Sequence, residues 1–405
     1  MHAPSLPPDV NPAAQDARQG HASALALALS ASRRDTLATF AVFEQGLPGL
    51  AVPQLAELNP PLWELGHIGW FADHWLARNP VRGQGAAADP DLPRSPARRA
   101  DADALYDSSH VPHESRWTLP LPTPDATRAD LAQQLADTLA LLDSLGSRNA
   151  SNASNASALY FFRLALLHED MHHEAALYTA QHLGLPVTDP RWQAAPLPDP
   201  PAALDLSAAE WLLGGAADQS DHPDHPGFAF DNELGAHAVR LDGFSIDAQA
   251  VRWAEYLPAV DAGAAPVPRY LKRNGRSWLQ WRHGQWQALD LRQAACHLSQ
   301  PEALAWCAWA GRRLPSEAEW ERAAGSLGPA FRWGDVWEWT ASAFAPYPGF
   351  VPHPYRDYSA PWFDGRPVLR GASFMTQPRM RHLRYRNYFP AQRNDIAAGF
   401  RSCAR

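Results

Sequence analysis

The sequence predicts an α-helical N-terminal half followed by a loop-rich α+β C-terminal half. Three observations carry this. Four stretches within the first 190 residues repeat apolar residues at steps of three and four. Composition shifts after Pro186, where Asp-Pro and Pro-Asp pairs run to residue 201 in the manner of a linker. No long helical periodicity returns over 205–405, where short strand-like pieces alternate with Gly, Pro and Trp.

The elements follow in order. Residues 1–20, rich in Pro, Ala, Asp and Gln, read as a flexible N-terminal arm. Residues 21–48 read as a first helix on Leu25, Leu29, Leu37, Phe40 and Phe43. A second helix over 60–79 opens with Pro60 and Pro61, and proline suits a helix start. Residues 80–126 are proline-rich and poorly periodic. A third helix over 127–145 follows Leu131, Leu135, Leu139 and Leu142, and a fourth spans about 158–184. Between them lies a tripeptide repeat, NASNASNAS over 149–157, read as a solvated loop. Four helices in the 21–190 segment predict an antiparallel bundle. Residues 191–204 read as the linker. Beyond it, 239–246 and 368–370 read as strands and 300–310 and 316–324 as helices, the last opened by the capping box of Ser316 and Glu319.

Composition excludes several classes. The 405 residues hold 35 Lys+Arg against 43 Asp+Glu, a formal charge of −8, which argues against a nucleic-acid binder. No apolar run approaches the roughly 18–20 residues of a membrane helix. Arg33 and Arg34 follow the Ala24–Leu29 run rather than precede it, the wrong order for a signal peptide, so a cytoplasmic protein is expected. Cys296, Cys307 and Cys403 lack disulfide or CxxC spacing and read as buried reduced thiols.

The strongest chemical signal is HEDMH over 168–172. His168 and His172, four apart, share one helix face and can reach one metal ion, with Glu169 and Glu174 as candidate acceptors that fix the ring tautomers. His173 points to another face. The string also matches the HExxH pattern of zinc hydrolases. A third ligand is available on the second helix as His67, in WELGHIGW over 63–70, or as His74 two turns on. Three histidines on two facing helices leave open positions, which suits a redox iron or a catalytic zinc.

The second half holds four strings in fixed order: GRRLPSEAEWERAA (311–324), GDVWEWT (334–340), RGASF (370–374) and AGFR (398–401). Physically they read as turn glycines, buried tryptophans and buried ion pairs. This set, over about 205–405, resembles the formylglycine-generating-enzyme (sulfatase-modifying factor) domain, which implies a C-type-lectin-like fold. The copper-binding cysteines of formylglycine-generating enzymes have no counterpart, so that activity is not implied. The first half resembles a DinB-like four-helix bundle. The pair is similar to the EgtB-like (ergothioneine synthase) sulfoxide synthases, non-haem iron oxidoreductases that use O2 to join a sulfur nucleophile to C2 of hercynine. The resemblance implies Fe(II) bound by His67, His168 and His172. It implies Tyr355, in YRDYS over 355–359, as the proton donor and Tyr358 as a hercynine contact, with Asn387, in RNYFP over 386–390, near the same pocket.

The chain departs from that family where a charged thiol donor binds. Of an Arg-x-x-Arg pair that holds carboxylates, only Arg116 remains, with His113 at the other place. Tyr388 and Phe389 stand where relatives read Trp-Asp, and Met171 replaces a glutamine. ALYDSSHVPH (104–113) and YFFRLALLHEDMH (160–172) look closest to the selenoneine synthase (SenA) branch, whose donor is a selenosugar, 1-seleno-N-acetylglucosamine. The expected partners are therefore hercynine, this selenosugar and O2. The alternatives are an ergothioneine-type synthase using cysteine or γ-glutamylcysteine, a non-catalytic lectin-like binding protein, and a zinc hydrolase.

Overall fold

Apolar spacing becomes helix where the sequence places it. The computed structural model describes residues 11–148, 156–216 and 227–405. Its first half carries α1 (Pro12–Gln19), α2 (Ala22–Gly46), α3 (Pro61–Ala72), α4 (Ala102–Tyr106), α5 (Pro124–Arg148) and α6 (Ala156–Leu183). Leu25, Leu29, Phe40 and Phe43 of α2 and Leu131 and Leu142 of α5 are buried as their spacing requires. α2 packs against α5 and α6, and α3 packs against the same two helices. α3 runs on through one π-helical turn, Asp73–Ala77. α6 lies innermost, with residues 159–170 all buried.

The loose-arm reading does not hold for residues 12–19. The Asn11 side chain caps α1 by accepting the Ala13 N–H (3.0 Å), and Arg18 is drawn out of water by Glu233 of the second half (2.8 Å). Composition cannot report a partner 215 residues away. Residues 1–10 of the arm and 149–155 of the Asn-Ala-Ser repeat lie outside the described residues.

The second half is built from small sheets around two capped helices. One sheet runs β1 (Leu204–Leu206), β4 (Phe244–Ile246), β13 (Cys403–Ala404), β8 (Arg312–Arg313). Another runs β11 (Asn387–Tyr388), β10 (Pro367–Gly371), β9 (Trp337–Ala343), β12 (Ala398–Gly399). β2 (Ala209–Leu213) pairs with β3 (His237–Leu241), and β5 (Leu271–Asn274), β6 (Ser277–Arg282) and β7 (Gln285–Ala288) form an antiparallel meander. α8 (Gln300–Trp309) and α9 (Glu317–Ser326) each open with a capping box, Ser299 with Glu302 and Ser316 with Glu319. The sequence reading missed α7 (Trp253–Asp261), which carries Pro258 in its interior.

The four C-terminal strings do the structural work their residues imply. Arg401 pairs with Glu338 (2.8 Å), Arg386 with Glu317 (3.0 Å) and Arg370 with Glu321, all buried. Trp320 donates its indole N–H to Glu338 (2.7 Å). Gly399 admits no side chain, because a Cβ there would stand 2.2 Å from the Ala295 carbonyl oxygen.

The two halves share one apolar core that runs from Leu25 and Trp63 to Trp339 and Phe400. The linker is buried too: Trp192 and Leu197 sit in a second apolar cluster with Leu177, Ala250 and Met375. A polar seam lies beside it on α6. Asp170 accepts Arg379 (2.7 Å) and Ser32 (2.6 Å). Glu174 accepts the Trp337 indole (2.7 Å), Ser373 (2.7 Å) and Thr376 (2.8 Å).

Candidate metal centre

His168 and His172 stand one turn apart on α6, and α3 brings His67 across from them. One ring nitrogen of each residue lies within 4.8 Å of the other two. His67 Nδ1 faces the Tyr106 carbonyl at 2.8 Å, which makes Nδ1 the protonated nitrogen and leaves the Nε2 lone pair free. His172 Nδ1 contacts the Glu64 carboxylate, which frees its Nε2 in the same way. That Nε2 stands 3.2 Å from His168 Nε2. His168 Nδ1 is buried with no partner among the described residues, and its ring lies flat on Phe71, centroids 3.5 Å apart. Burial, and then the neighbouring His172, push His67 down to about 3; burial also holds His168 well below its ordinary value. Neutral, desolvated imidazoles with converging lone pairs are the donor set a transition-metal ion needs.

The tautomer-fixing acceptors differ from the expected ones. Glu169 is engaged by Arg33 (2.8 Å), and Glu174 belongs to the interdomain seam. Neither touches the triad. Glu64 takes the role instead. Burial works to raise its pKa, but His172, His67 and Arg116 together hold the carboxyl down to about 2. Its signal was available: Glu64 stands three residues before His67, on the same helix face. With Glu169 tied to Arg33, the general base of an HExxH hydrolase is missing. His74 packs between Trp70 (5.0 Å) and Trp75 (5.1 Å), outside the cluster. His173 bonds Thr39 (3.0 Å).

The other expected site residues fall into two groups. Tyr355 lies at the triad: its ring meets His168 edge-on at 6.0 Å and packs on Phe71 (4.9 Å), and burial raises its phenol above the ordinary value. Tyr358 stacks on Phe230 (4.2 Å) and donates to the Tyr385 hydroxyl (3.1 Å), which donates to Met171 Sδ (3.3 Å). Tyr388 stacks on Phe344 and donates to the Tyr358 carbonyl. Arg116 lies over the Trp63 ring (3.9 Å), and Trp63 stacks on His67 (4.9 Å). Its guanidinium donates to Asn59 (2.9 Å) and pairs with no carboxylate among the described residues. His113, Asn387 and Phe389 make no hydrogen bond or ring contact with the triad. His113 bonds the Leu58 carbonyl (2.9 Å), Asn387 accepts the Tyr388 N–H (2.9 Å), and Phe389 faces the Arg393 guanidinium (5.0 Å).

The second half matches the family described as sulfatase-modifying factor enzyme 1-like domain, over residues 196–335 and 326–405, more than half of the chain. The chain belongs to that family. Its sulfatase-modifying factor enzyme 1-like domain carries Tyr355, Tyr358 and Asn387. All three histidines fall in the region 28–176, which matches the DinB superfamily. The chain is 29% identical over 414 residues to a protein named hercynine oxygenase from Mycolicibacterium smegmatis, covering 85% of this chain and 90% of that one. The protein of the same name from Mycobacterium tuberculosis is 28% identical over 408 residues, with the same coverage. A formylglycine-generating enzyme from Streptomyces coelicolor is 29% identical over 165 residues, covering 32% of this chain and 49% of that one. The two domains and these relatives support an EgtB-like assignment. The cysteines Cys296, Cys307 and Cys403 lie in three different apolar clusters, each thiol pushed up to about 12 by burial.

Proposed function

We propose that the chain is an Fe(II)- and O2-dependent selenoneine synthase, joining hercynine C2 to selenium from 1-seleno-N-acetylglucosamine. One observation carries the reading. An open three-histidine cluster with converging lone pairs sits in a chain that aligns along 85% of its length with hercynine oxygenases. His67, His168 and His172 would hold the iron, which supplies O2 binding and activation when bound. The steps balance: the C2–H and Se–H bonds break, a C–Se bond forms, and O2 takes four electrons. One oxygen ends on selenium and the other in water. Tyr355 holds a proton beside His168 for the oxygen being reduced. The aromatic walls of Phe71, Trp75 and Tyr358 exclude bulk water from that step.

The donor assignment rests on His113 and Phe389, where a carboxylate-gripping Arg and an amine-pairing Asp are replaced. A second reading has its own support: Arg116 lacks a carboxylate partner, which favours a donor such as cysteine or γ-glutamylcysteine. A cytoplasmic site of action belongs to both readings, supported by three buried free thiols; no described helix is long and apolar enough to cross a membrane. The test is competition. Anaerobically purified chain is loaded with Fe(II), given hercynine, O2 and equal selenosugar, cysteine and γ-glutamylcysteine, and its products are read by mass spectrometry. A hercynyl–selenium product in excess is expected. A sulfoxide in excess returns the enzyme to ergothioneine-type synthesis. A chain that binds no stoichiometric iron and forms neither product is a binding protein.

A further inference from the structure

We infer that Asp231, with Tyr160 as a second anchor, is a positioning residue that holds Tyr355 beside the histidine triad; the inference rests on the part given to Tyr355 above. Tyr355 sits on the loop 353–359, which has no strand partner and little regular structure beyond one 3₁₀ turn, Arg356–Tyr358. Such a loop does not fix a ring by itself. Both of its ends close on one carboxylate. Asp231 Oδ2 accepts the His353 N–H (3.2 Å), and Asp231 Oδ1 accepts the Ser359 hydroxyl. Asn232 completes the far end by donating to Ser359 Oγ (3.0 Å), and its own carbonyl is held by Arg386 (2.9 Å).

The carboxylate is costly to keep there. Asp231 is 2% exposed and pairs with no cation among the described residues. Burial raises its pKa, and the donors that offset this come from Ser359, His353 and Asn232. A buried acid without a counter-ion is retained where its hydrogen bonds do something an apolar residue cannot. Here they close the loop around Tyr355. The third fixed point ties the loop to the metal helix. Tyr160 lies on α6 eight residues before His168, and its hydroxyl meets His353 Nδ1 at 3.0 Å. The ring of Tyr160 continues through Phe228 (5.2 Å) and Phe230 (5.1 Å) to the stacked ring of Tyr358. One helix thus carries both His168 and the peg that sets how far the Tyr355 loop stands from it.

The test reads position and turnover separately. 3-Fluorotyrosine is placed at residue 355 of the full chain, and its 19F resonance is followed in Asp231→Asn, Ser359→Ala and Tyr160→Phe, each checked for native circular dichroism. The expected result is a resonance that moves by more than its linewidth and becomes open to a soluble paramagnetic quencher, most in Asp231→Asn and least in Tyr160→Phe. In hercynine turnover, kcat falls about 30-fold in Asp231→Asn while KM for hercynine stays within about twofold, as expected when a reacting group is displaced by roughly an ångström. If Asp231→Asn does not fold, the other two variants decide on the same readout. An unmoved, quencher-protected resonance in the folded variants overturns the inference. A resonance that moves with turnover unchanged upholds the clamp and overturns the part given to Tyr355 in the proposed reaction.

Discussion

Two regions of the molecule bury polar groups differently. In the C-terminal domain, Arg401, Arg386 and Arg370 each meet a glutamate, and Trp320 adds a further donor to Glu338. In these three pairs each charge is matched by an opposite charge. At the triad, His168 Nδ1 has no partner among the described residues, two Nε2 atoms face each other at 3.2 Å, and burial holds His67 and His168 below their ordinary pKa values. A paired buried charge holds a fold together. An unpaired buried lone pair awaits something from outside it.

The sharpest test of that contrast is to remove one member from each region. His168→Ala is expected to abolish turnover and stoichiometric iron binding, read by metal analysis, while the melting temperature of the metal-free chain changes less than in any C-terminal ion-pair variant. Arg401→Met is expected to do the reverse. Stranding Glu338 costs about 3–5 kcal/mol in denaturant unfolding, and the folded fraction keeps its iron. If His168→Ala destabilises as much as Arg401→Met, the triad is structural and the contrast fails. Glu64→Gln comes next. It keeps the shape but removes the charge that orients His172, so metal affinity falls about 10–100-fold by competition with a chelator.

The smallest effect is a pH dependence outside the centre. His297 and His353 are buried neutral, each pushed down to about 4 by desolvation. In the unfolded chain they take up a proton near 6.5, so the unfolded state gains stability first as pH falls. Folding stability therefore declines below about pH 7 and levels off near pH 4. Each histidine contributes about 0.7 kcal/mol of loss between pH 7 and 6, measurable by urea titration at the two pH values. A flat profile overturns this prediction, and one that vanishes in the triad variants assigns the loss to the triad.

How much of this was legible depended on whether partners lie close in sequence. The helices and the His168–His172 pair rest on i, i+4 spacing, and the Ser316–Glu319 cap on a three-residue step. The choice between His67 and His74 did not, because α3 turns into a π-helical segment at Asp73 and helical spacing stops reporting direction there. Glu169 and Glu174 sit beside the histidines in sequence but face Arg33 and Trp337, contacts that only the packing of α2 and the second half creates. The β5–β7 meander was missed because its outer strands, β5 and β7, lie largely exposed and show no alternation. Asp231 gave no signal at all: its partners lie more than 120 residues away.

The seam on α6 sets a rule for anyone who would cut or transplant this centre. Asp170 and Glu174 flank His172 on the helix, and both end on the segment 373–379. A graft of the helices alone would strip Asp170 of Arg379 and Glu174 of Trp337, Ser373 and Thr376, next to the histidines. The smallest portable unit is therefore discontinuous in sequence: the helices plus residues 373–379 from the far half of the chain.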